Sequence, residues 1–405
     1  MTSVGTPARV TFVLTHPVQY QAPWLRYIAA HAPELELTVL YGALPTADQQ
    51  GTGFGTAFEW DVPLTHGYRW EVCSSVARDF NSDAFFGIDV REIGERIAAT
   101  SPDVVVVNGW HSAMQIRALR ACREVHVPVL YRGDSTLSSG PRSFARPLWR
   151  MKTRMMLRQF DGYLSVGEHA AAYLRSFGIP SSLVTRSPHC VDNARFAAAA
   201  QSLWPRRQAL RAAIGATDDD FVVLFAGKFQ DRKRPLDAVR SVARLGQGAM
   251  LMTAGDGPLA SDAREAAARL GVRLAWRGFM NQSALPEAFV AADCLIVPSE
   301  WETWGLIVNE ALASGLPCVV TEGVAAAADL VVDAVTGYTT AVGDIDGMVR
   351  ALSAVRATGR GRFSPACRQQ VEQCSFAEAT RGLLAAVEGL MSTHASRVAV
   401  GSHVA

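Results

Sequence analysis

Short runs of β-branched and apolar residues recur along the chain with helix-like stretches between them, and they fall into two sets. The first is Val10 to Leu14, Leu35 to Tyr41, Val104 to Val107, Val127 to Tyr131 and Gly162 to Val166. The second is Phe221 to Ala226, Ala249 to Ala254, Arg273 to Arg277, Cys294 to Val297 and Pro317 to Val320. Runs that are apolar on both faces, spaced widely enough for a helical crossover, predict parallel strands covered on both sides. The expected class is therefore α/β, with two Rossmann-like, doubly wound domains. Pro188-His189-Cys190-Val191-Asp192-Asn193, an Ala-rich stretch to Ala200 and Trp204-Pro205 separate the sets and read as a hinge, so the boundary is expected near residue 195. Two such domains facing one another would share a central cleft at the carboxyl ends of their strands, where open α/β sheets bind ligands.

Length and charge narrow the classes. At 405 residues, 49% apolar and 19% charged, the chain has ample material for two cores and is not disordered. Thirty-nine Lys and Arg against 38 Asp and Glu leave a net charge of +1, so no global field draws in nucleic acid. Seven cysteines, an odd set without a C-x-x-C pair, read as reduced core thiols. The apolar run Val10 to Leu14 is of strand length, shorter than a signal-peptide core, and no run is long enough to span a bilayer. A cytoplasmic location is expected.

The chemistry-bearing residues follow the second set of strands. Cys294 to Val297 leads into Pro298-Ser299-Glu300-Trp301-Glu302-Thr303-Trp304-Gly305, then Leu306 to Gly315, a short helix closed by glycine. Thr303 is the expected N-cap, and the N–H groups near Trp304, Gly305 and Leu306 would hold a phosphate or another anion. Glu302 and Glu310 lie roughly 12 Å apart along a mainly helical span, at about 1.5 Å per residue. That is wide for a carboxylate pair acting on one bond and better suited to two separate hooks for vicinal hydroxyls. Read in isolation, the pair is better taken as a solvated loop acid and a solvated helix acid. The first strand of this half, however, ends Ala226-Gly227-Lys228-Phe229-Gln230-Asp231-Arg232-Lys233, and Lys228 and Lys233 could neutralise a diphosphate beside them.

Gly227-Lys228 with Lys233, Ala254-Gly255-Asp256-Gly257-Pro258-Leu259, Gly278-Phe279-Met280, Pro298-Ser299, Glu302-x7-Glu310-Ala311 and Ser314-Gly315-Leu316-Pro317 stand in an order that resembles retaining glycosyltransferase family 4. The likeness is strong over 195 to 345. It is weaker in the first half, where Val166-Gly167-Glu168, Tyr173 and Pro188-His189-Cys190-Val191-Asp192 match. The resemblance implies a GT-B fold and transfer of a sugar from a nucleotide-diphosphate sugar with its anomeric configuration retained. It assigns Lys228 and Lys233 to the diphosphate, Glu302 and the Thr303 to Leu306 backbone to the donor sugar and its phosphate, Glu310 to the ribose, and the Gly278-Phe279-Met280 turn to the base. It also implies a final helix, around Ala377 to Leu390, that crosses back to the first domain. The domains are thus expected at 1–195, acceptor-binding, and 196–376, donor-binding. No cofactor is implied beyond the donor substrate.

Two departures shape the expected mechanism. The first βα loop, His16-Pro17-Val18-Gln19-Tyr20, cannot cradle phosphate as a glycine-rich loop would, so acceptor contact is expected there. The family's active-site histidine falls on Asp134, which could bond a donor or acceptor hydroxyl or simply cap a turn; His111 and His16 are the candidate substitutes. Acceptor contacts are assigned to His16, Gln19, Tyr20, His111 and Arg132. Asp218-Asp219-Asp220 and Asp344-Ile345-Asp346 fit a metal-binding D-x-D, but the first precedes its strand and the second lacks clear partners, so no metal is expected.

Arg142, Arg146, Arg150, Arg154 and Arg158 recur every fourth residue, with Lys152 added and no acid from Ser135 to Phe160. A basic amphipathic helix there suits anionic lipid or a phosphorylated acceptor; a solvated helix with an ordinary buried face fits the pattern as well. The alternatives to a transferase are a binding protein that keeps the nucleotide-sugar site without catalysis and, more remotely, a nicotinamide-dependent oxidoreductase. The latter lacks its G-x-G-x-x-G: Gly51 to Gly55 spells only G-x-G-x-G and reads as a loop.

Overall fold

The computed structural model describes residues 6–53, 55–75, 80–82, 84–141, 143 and 145–401, with side chains of the last helix described to residue 393. The chain forms two compact units, one from Met1–Gln49, Pro63–His189 and Phe376–Ala405, the other from Gln50–Val62 and Cys190–Ser375.

In the first unit, strands β1 (Ala8–Leu14), β2 (Leu35–Tyr41), β3 (Arg69–Val72), β4 (Val104–Asn108), β5 (Val129–Gly133), β6 (Gly162–Ser165) and β7 (Val184–Arg186) lie in the order 3-2-1-4-5-6-7. Every pair is parallel. Val104 to Val107 are completely buried because helices cover both faces of the central strands, which is what a run without polar alternation requires. The helix Phe376–Gly401 belongs to this unit: Trp24 Nε1 donates to Thr380 Oγ1 at 3.0 Å and Ser187 Oγ to the Ala379 carbonyl at 2.8 Å.

In the second unit, β8 (Phe221–Ala226), β9 (Ala249–Ala254), β10 (Arg273–Trp276), β11 (Cys294–Val297), β12 (Cys318–Thr321) and β13 (Gly337–Thr340) lie in the order 10-9-8-11-12-13, again all parallel. Both sheets reverse direction of growth once, between β1 and β4 and between β8 and β11. Crevices at the carboxyl ends of those strand pairs are where ligands bind in such sheets.

Residues 50–62 leave the first sheet's sequence neighbourhood and pack onto the second unit. Asn281 Nδ2 donates to the Glu59 carbonyl at 2.6 Å, and Ser283 N donates to the Asp61 carboxylate at 3.1 Å. Gly51 ends the short helix Ala47–Gly51 and Gly53 and Gly55 lie beyond it, so these glycines form no strand-to-helix phosphate turn. All seven cysteines are buried free thiols. Among the described residues, no helix is long and apolar enough to cross a membrane.

Candidate functional site

The second unit's crevice is built from the loops after β8 and β11, which are paired neighbours. A backbone bond from Glu300 N to the Arg232 carbonyl, 2.7 Å, ties the two loops together, and Arg232 stacks over Trp301 at 5.0 Å. This brings Lys233 Nζ to 2.5 Å from Glu302 Oε1, with Ser299 Oγ donating to the same oxygen at 2.7 Å. Glu302 is 8% exposed and Lys233 16%, so the pair is largely desolvated. The Glu302 backbone is fixed in turn, its N–H donating to the Gly323 carbonyl at 2.8 Å.

The helix Leu306–Ala313 begins immediately beyond, but its N-cap is Gly305, not the expected Thr303. Gly305 holds φ 104°, a left-handed conformation that other residues rarely adopt, and a Cβ there would lie 2.7 Å from Val324. With no side-chain cap, the first-turn N–H groups of Leu306 and Ile307 lack an intrahelical acceptor. Trp304 is buried and locked by Nε1–H···Oδ1 of Asn309 at 2.8 Å.

Glu310 sits one helix face further in and is buried. Gln282 Nε2 donates to it at 3.2 Å, and Arg195 holds Gln282 through both its carbonyl, 3.0 Å, and its side-chain oxygen, 2.7 Å. Burial pushes the Glu310 carboxyl up to about 7, against the opposing pull of Gln282 and Arg195. Lys228 is half-buried and donates to the Thr52 carbonyl at 2.8 Å, while Phe58 packs on Phe279 with centroids 4.2 Å apart. Residues 50–62 thus lie over the Lys228 and Gly278-Phe279-Met280 positions. Gly255 allows the neighbouring loops to meet, since a Cβ there would stand 2.0 Å from the Gly227 carbonyl.

The first unit carries a separate cavity of about 380 Å³ at the ends of β4 and β5, lined by Tyr20, Trp110, His111, Arg132, Asp134 and His189 among others. Arg132 is only 2% exposed, stacks over Trp24 at 4.6 Å and points its Nη2 towards the Ser187 and Pro188 carbonyls. It organises the wall. His189 is buried with Nε2 4.0 Å from Asp134 Oδ2, and burial plus the nearby Arg132 charge lower its pKa, so it stays neutral at ordinary pH. His111 is exposed and bonds the Ser82 carbonyl through Nε2 at 3.1 Å. His16 and Gln19 are not among the lining residues; His16 packs edgewise on Phe80 at 5.2 Å, and burial lowers its pKa to about 4.

Sequence reasoning missed His189, Gln282, Arg195 and Phe58 as site residues. His189 lies within the quoted Pro188 to Asp192 motif and Gln282 two residues beyond Gly278-Phe279-Met280; Arg195 and Phe58 reach the site only through the tertiary fold. The D-x-D candidates have structural duties. Asp220 accepts from Thr217 N at 2.7 Å and pairs with Arg273, while Asp344 caps a helix by accepting from Gly347 N at 2.8 Å. Among the described residues there is no cluster of three metal-ligating side chains.

Residues 206–360 match the family described as glycosyl transferases group 1, and residues 56–189 match the glycosyl transferase 4-like domain. The D-inositol 3-phosphate glycosyltransferase of Mycolicibacterium smegmatis is 31% identical over 199 residues, 47% of this chain and 45% of the relative. The 2-deoxystreptamine glucosyltransferase of Streptomyces kanamyceticus is 28% identical over 216 residues, 52% of this chain and 54% of the relative. The matched stretches thus span about half the length of these two relatives. In fold, the chain is similar to a Rickettsia africae glycosyltransferase, TM-score 0.72 at 13% identity over 95% of this chain and 99% of that one. It is similar too to Anabaena HepE in complex with UDP and glucose, TM-score 0.69 at 16% identity over 94% of this chain and 100% of that one. Two matched glycosyltransferase domains, on two all-parallel Rossmann-like sheets, show that the chain belongs to the GT-B glycosyltransferases, of the family 4 type.

Proposed function

We propose that the chain transfers a sugar from a nucleotide-diphosphate sugar to a hydroxyl-bearing acceptor with retention of configuration and without a metal ion. The observation that supports this most is the Lys233–Glu302 pair beside the uncapped start of the Leu306–Ala313 helix, at the switch point of the second sheet. As the glycosidic C–O bond to phosphate breaks, negative charge builds on the diphosphate. In this reading Lys228, Lys233 and the helix end stabilise it. Glu302 accepts donor-sugar hydroxyls, Glu310 the ribose hydroxyls, and the acceptor oxygen attacks the same face while its proton passes to the departing phosphate. The first unit's cavity, with Asp134 as its hydroxyl acceptor, is the proposed acceptor site. The solved HepE structure contains UDP and glucose, in keeping with such a donor. Incubation with a panel of nucleotide sugars and polyol acceptors, read by NMR for product anomer, tests the reading; an inverted product, or donor bound without turnover with any acceptor, contradicts it.

Glu310 gives a pH signature. Its carboxyl titrates near 7 in the fold against an ordinary value of 4.5, so the neutral form is favoured by folding. That stability is fully present below about pH 4.5 and is lost as pH rises through about 7, amounting to as much as about 3 kcal/mol. Ribose hydroxyls bond better to the ionised form, so nucleotide affinity should rise across the same window. Glu310→Gln should flatten both dependences and leave the ligand-free chain more stable than its parent at pH 8, measured by urea unfolding and calorimetric titration.

Phe58 gives a second. If the Gly278-Phe279-Met280 turn meets the base, the Phe58 ring packed on Phe279 shapes that wall. Phe58→Ala should weaken nucleoside diphosphate binding by about tenfold, the scale of one aromatic contact, while leaving pyrophosphate binding unchanged. Equal losses for both ligands would place Phe58 outside the base site.

A further inference from the structure

The helix Arg146–Leu157 buries Thr153 and Leu157 and keeps Trp149 and Met156 partly covered against the first unit's core. Its opposite side is unusual. Leu148 is 66% exposed, Met151 56% and Met155 63%, three large apolar side chains on a helix that already has a buried face. At about 100° per residue they fall within an arc of about 60°. On the same projection Arg154 and Arg158 flank the stripe on one side and Lys152 on the other, all exposed. Arg150 is set apart, its guanidinium donating to the Ser176 carbonyl at 2.9 Å and stacking over Phe177 at 4.6 Å. No acid lies anywhere between Ser135 and Phe160. Arg142, part of the same basic run, is outside the described residues.

An ordinary solvated helix would carry polar residues where Leu148, Met151 and Met155 stand. A protein partner of mixed charge would be matched by acids as well as bases. An apolar ridge bordered only by cations is complementary to a surface that is apolar below and anionic at its edge. We propose that this helix docks the first unit on an anionic lipid surface, its Leu148, Met151 and Met155 side chains entering the acyl boundary and Lys152, Arg154 and Arg158 meeting lipid phosphates. The inference is independent of the donor site, since none of these residues lies in it.

Flotation with vesicles of phosphatidylcholine alone and of phosphatidylcholine mixed with phosphatidylglycerol tests it on the full chain. The intact protein should float with the mixed vesicles only, and less so as salt is raised. Arg154→Glu with Arg158→Glu should lower partitioning at least about twentyfold, given about fivefold for each cation lost near the surface. Met151→Asp with Met155→Asp should abolish it. Because these side chains are exposed, melting temperature and turnover of a water-soluble acceptor should stay at the parental level, which separates failed docking from failed folding or a failed donor site. Absence of binding by the intact protein, unchanged binding by either double variant, or a concentration-dependent dimer that the methionine variant abolishes would overturn the proposal.

Discussion

Lys233→Ala is expected to lower kcat/KM for glycosyl transfer by on the order of a thousandfold, about 4 kcal/mol of lost transition-state stabilisation. Lys233 is in ion-pair contact with Glu302 and stands beside the proposed diphosphate position, so its loss acts twice. The developing charge on the leaving group loses a cation. Glu302, 8% exposed, keeps a buried negative charge with Ser299 as its remaining polar partner. Breaking a buried pair from one side costs about 3 to 5 kcal/mol in general; with Lys233 itself 16% exposed, about 2 to 3 is expected here. The two effects separate in the double variant. Adding Glu302→Gln to Lys233→Ala should return most of the lost melting temperature, because the uncompensated charge is gone, yet transfer should remain as low as before. Recovery of transfer along with stability would mean that Lys233 serves the fold alone.

Arg360→Met should be the most destabilising single change, by about 4 kcal/mol or more, seen as a lower urea midpoint. The buried guanidinium donates to five carbonyls: Gly315 at 3.2 Å, Ser314 at 2.9 Å, Phe289 at 2.5 Å, Val290 at 3.2 Å and Ala292 at 2.6 Å. These oxygens close the carboxyl ends of the helices Leu285–Ala291 and Leu306–Ala313, where partial negative charge accumulates and no intrahelical donor remains. Methionine fills much of the space and satisfies none of them. The helix that carries Glu310 is one of the two, so residual folded protein should also bind nucleotide more weakly. Arg360→Lys should recover only a part, since an ammonium has three donors and no planar fork.

The central strands of both sheets were legible because burial on both faces writes a continuous apolar run. Of the four edge strands only β10 was read: β3, β7 and β13 escaped the sequence reading, and each is short and partly exposed, with residues such as Arg69, Arg186 and Thr339 breaking the pattern. The last helix also runs on to Gly401, beyond the Ala377 to Leu390 that the resemblance implied. In the site, Lys233, Glu302 and Glu310 could be picked out because they follow strand ends at fixed spacing. The cap at Gly305 could not, since the left-handed backbone there and the room it needs beside Val324 are set by the tertiary fold. Residues 50–62 reach the second unit from outside its main sequence stretch, and Arg195 meets Gln282 across 87 positions of chain, so no local signal marks either contact.

The most direct test is a thermal-shift titration of the full chain with uridine, adenosine and guanosine diphosphates and their sugar derivatives, run in parallel on Lys233→Ala with Glu302→Gln. At about a hundred times its dissociation constant, a ligand of the native site adds about 2.7 kcal/mol. A rise in melting temperature with one of these bases in the parent, lost in the double variant, is the expected result. No shift with any of them, or an equal shift in both proteins, would contradict a nucleotide-sugar site at the Lys233–Glu302 pair.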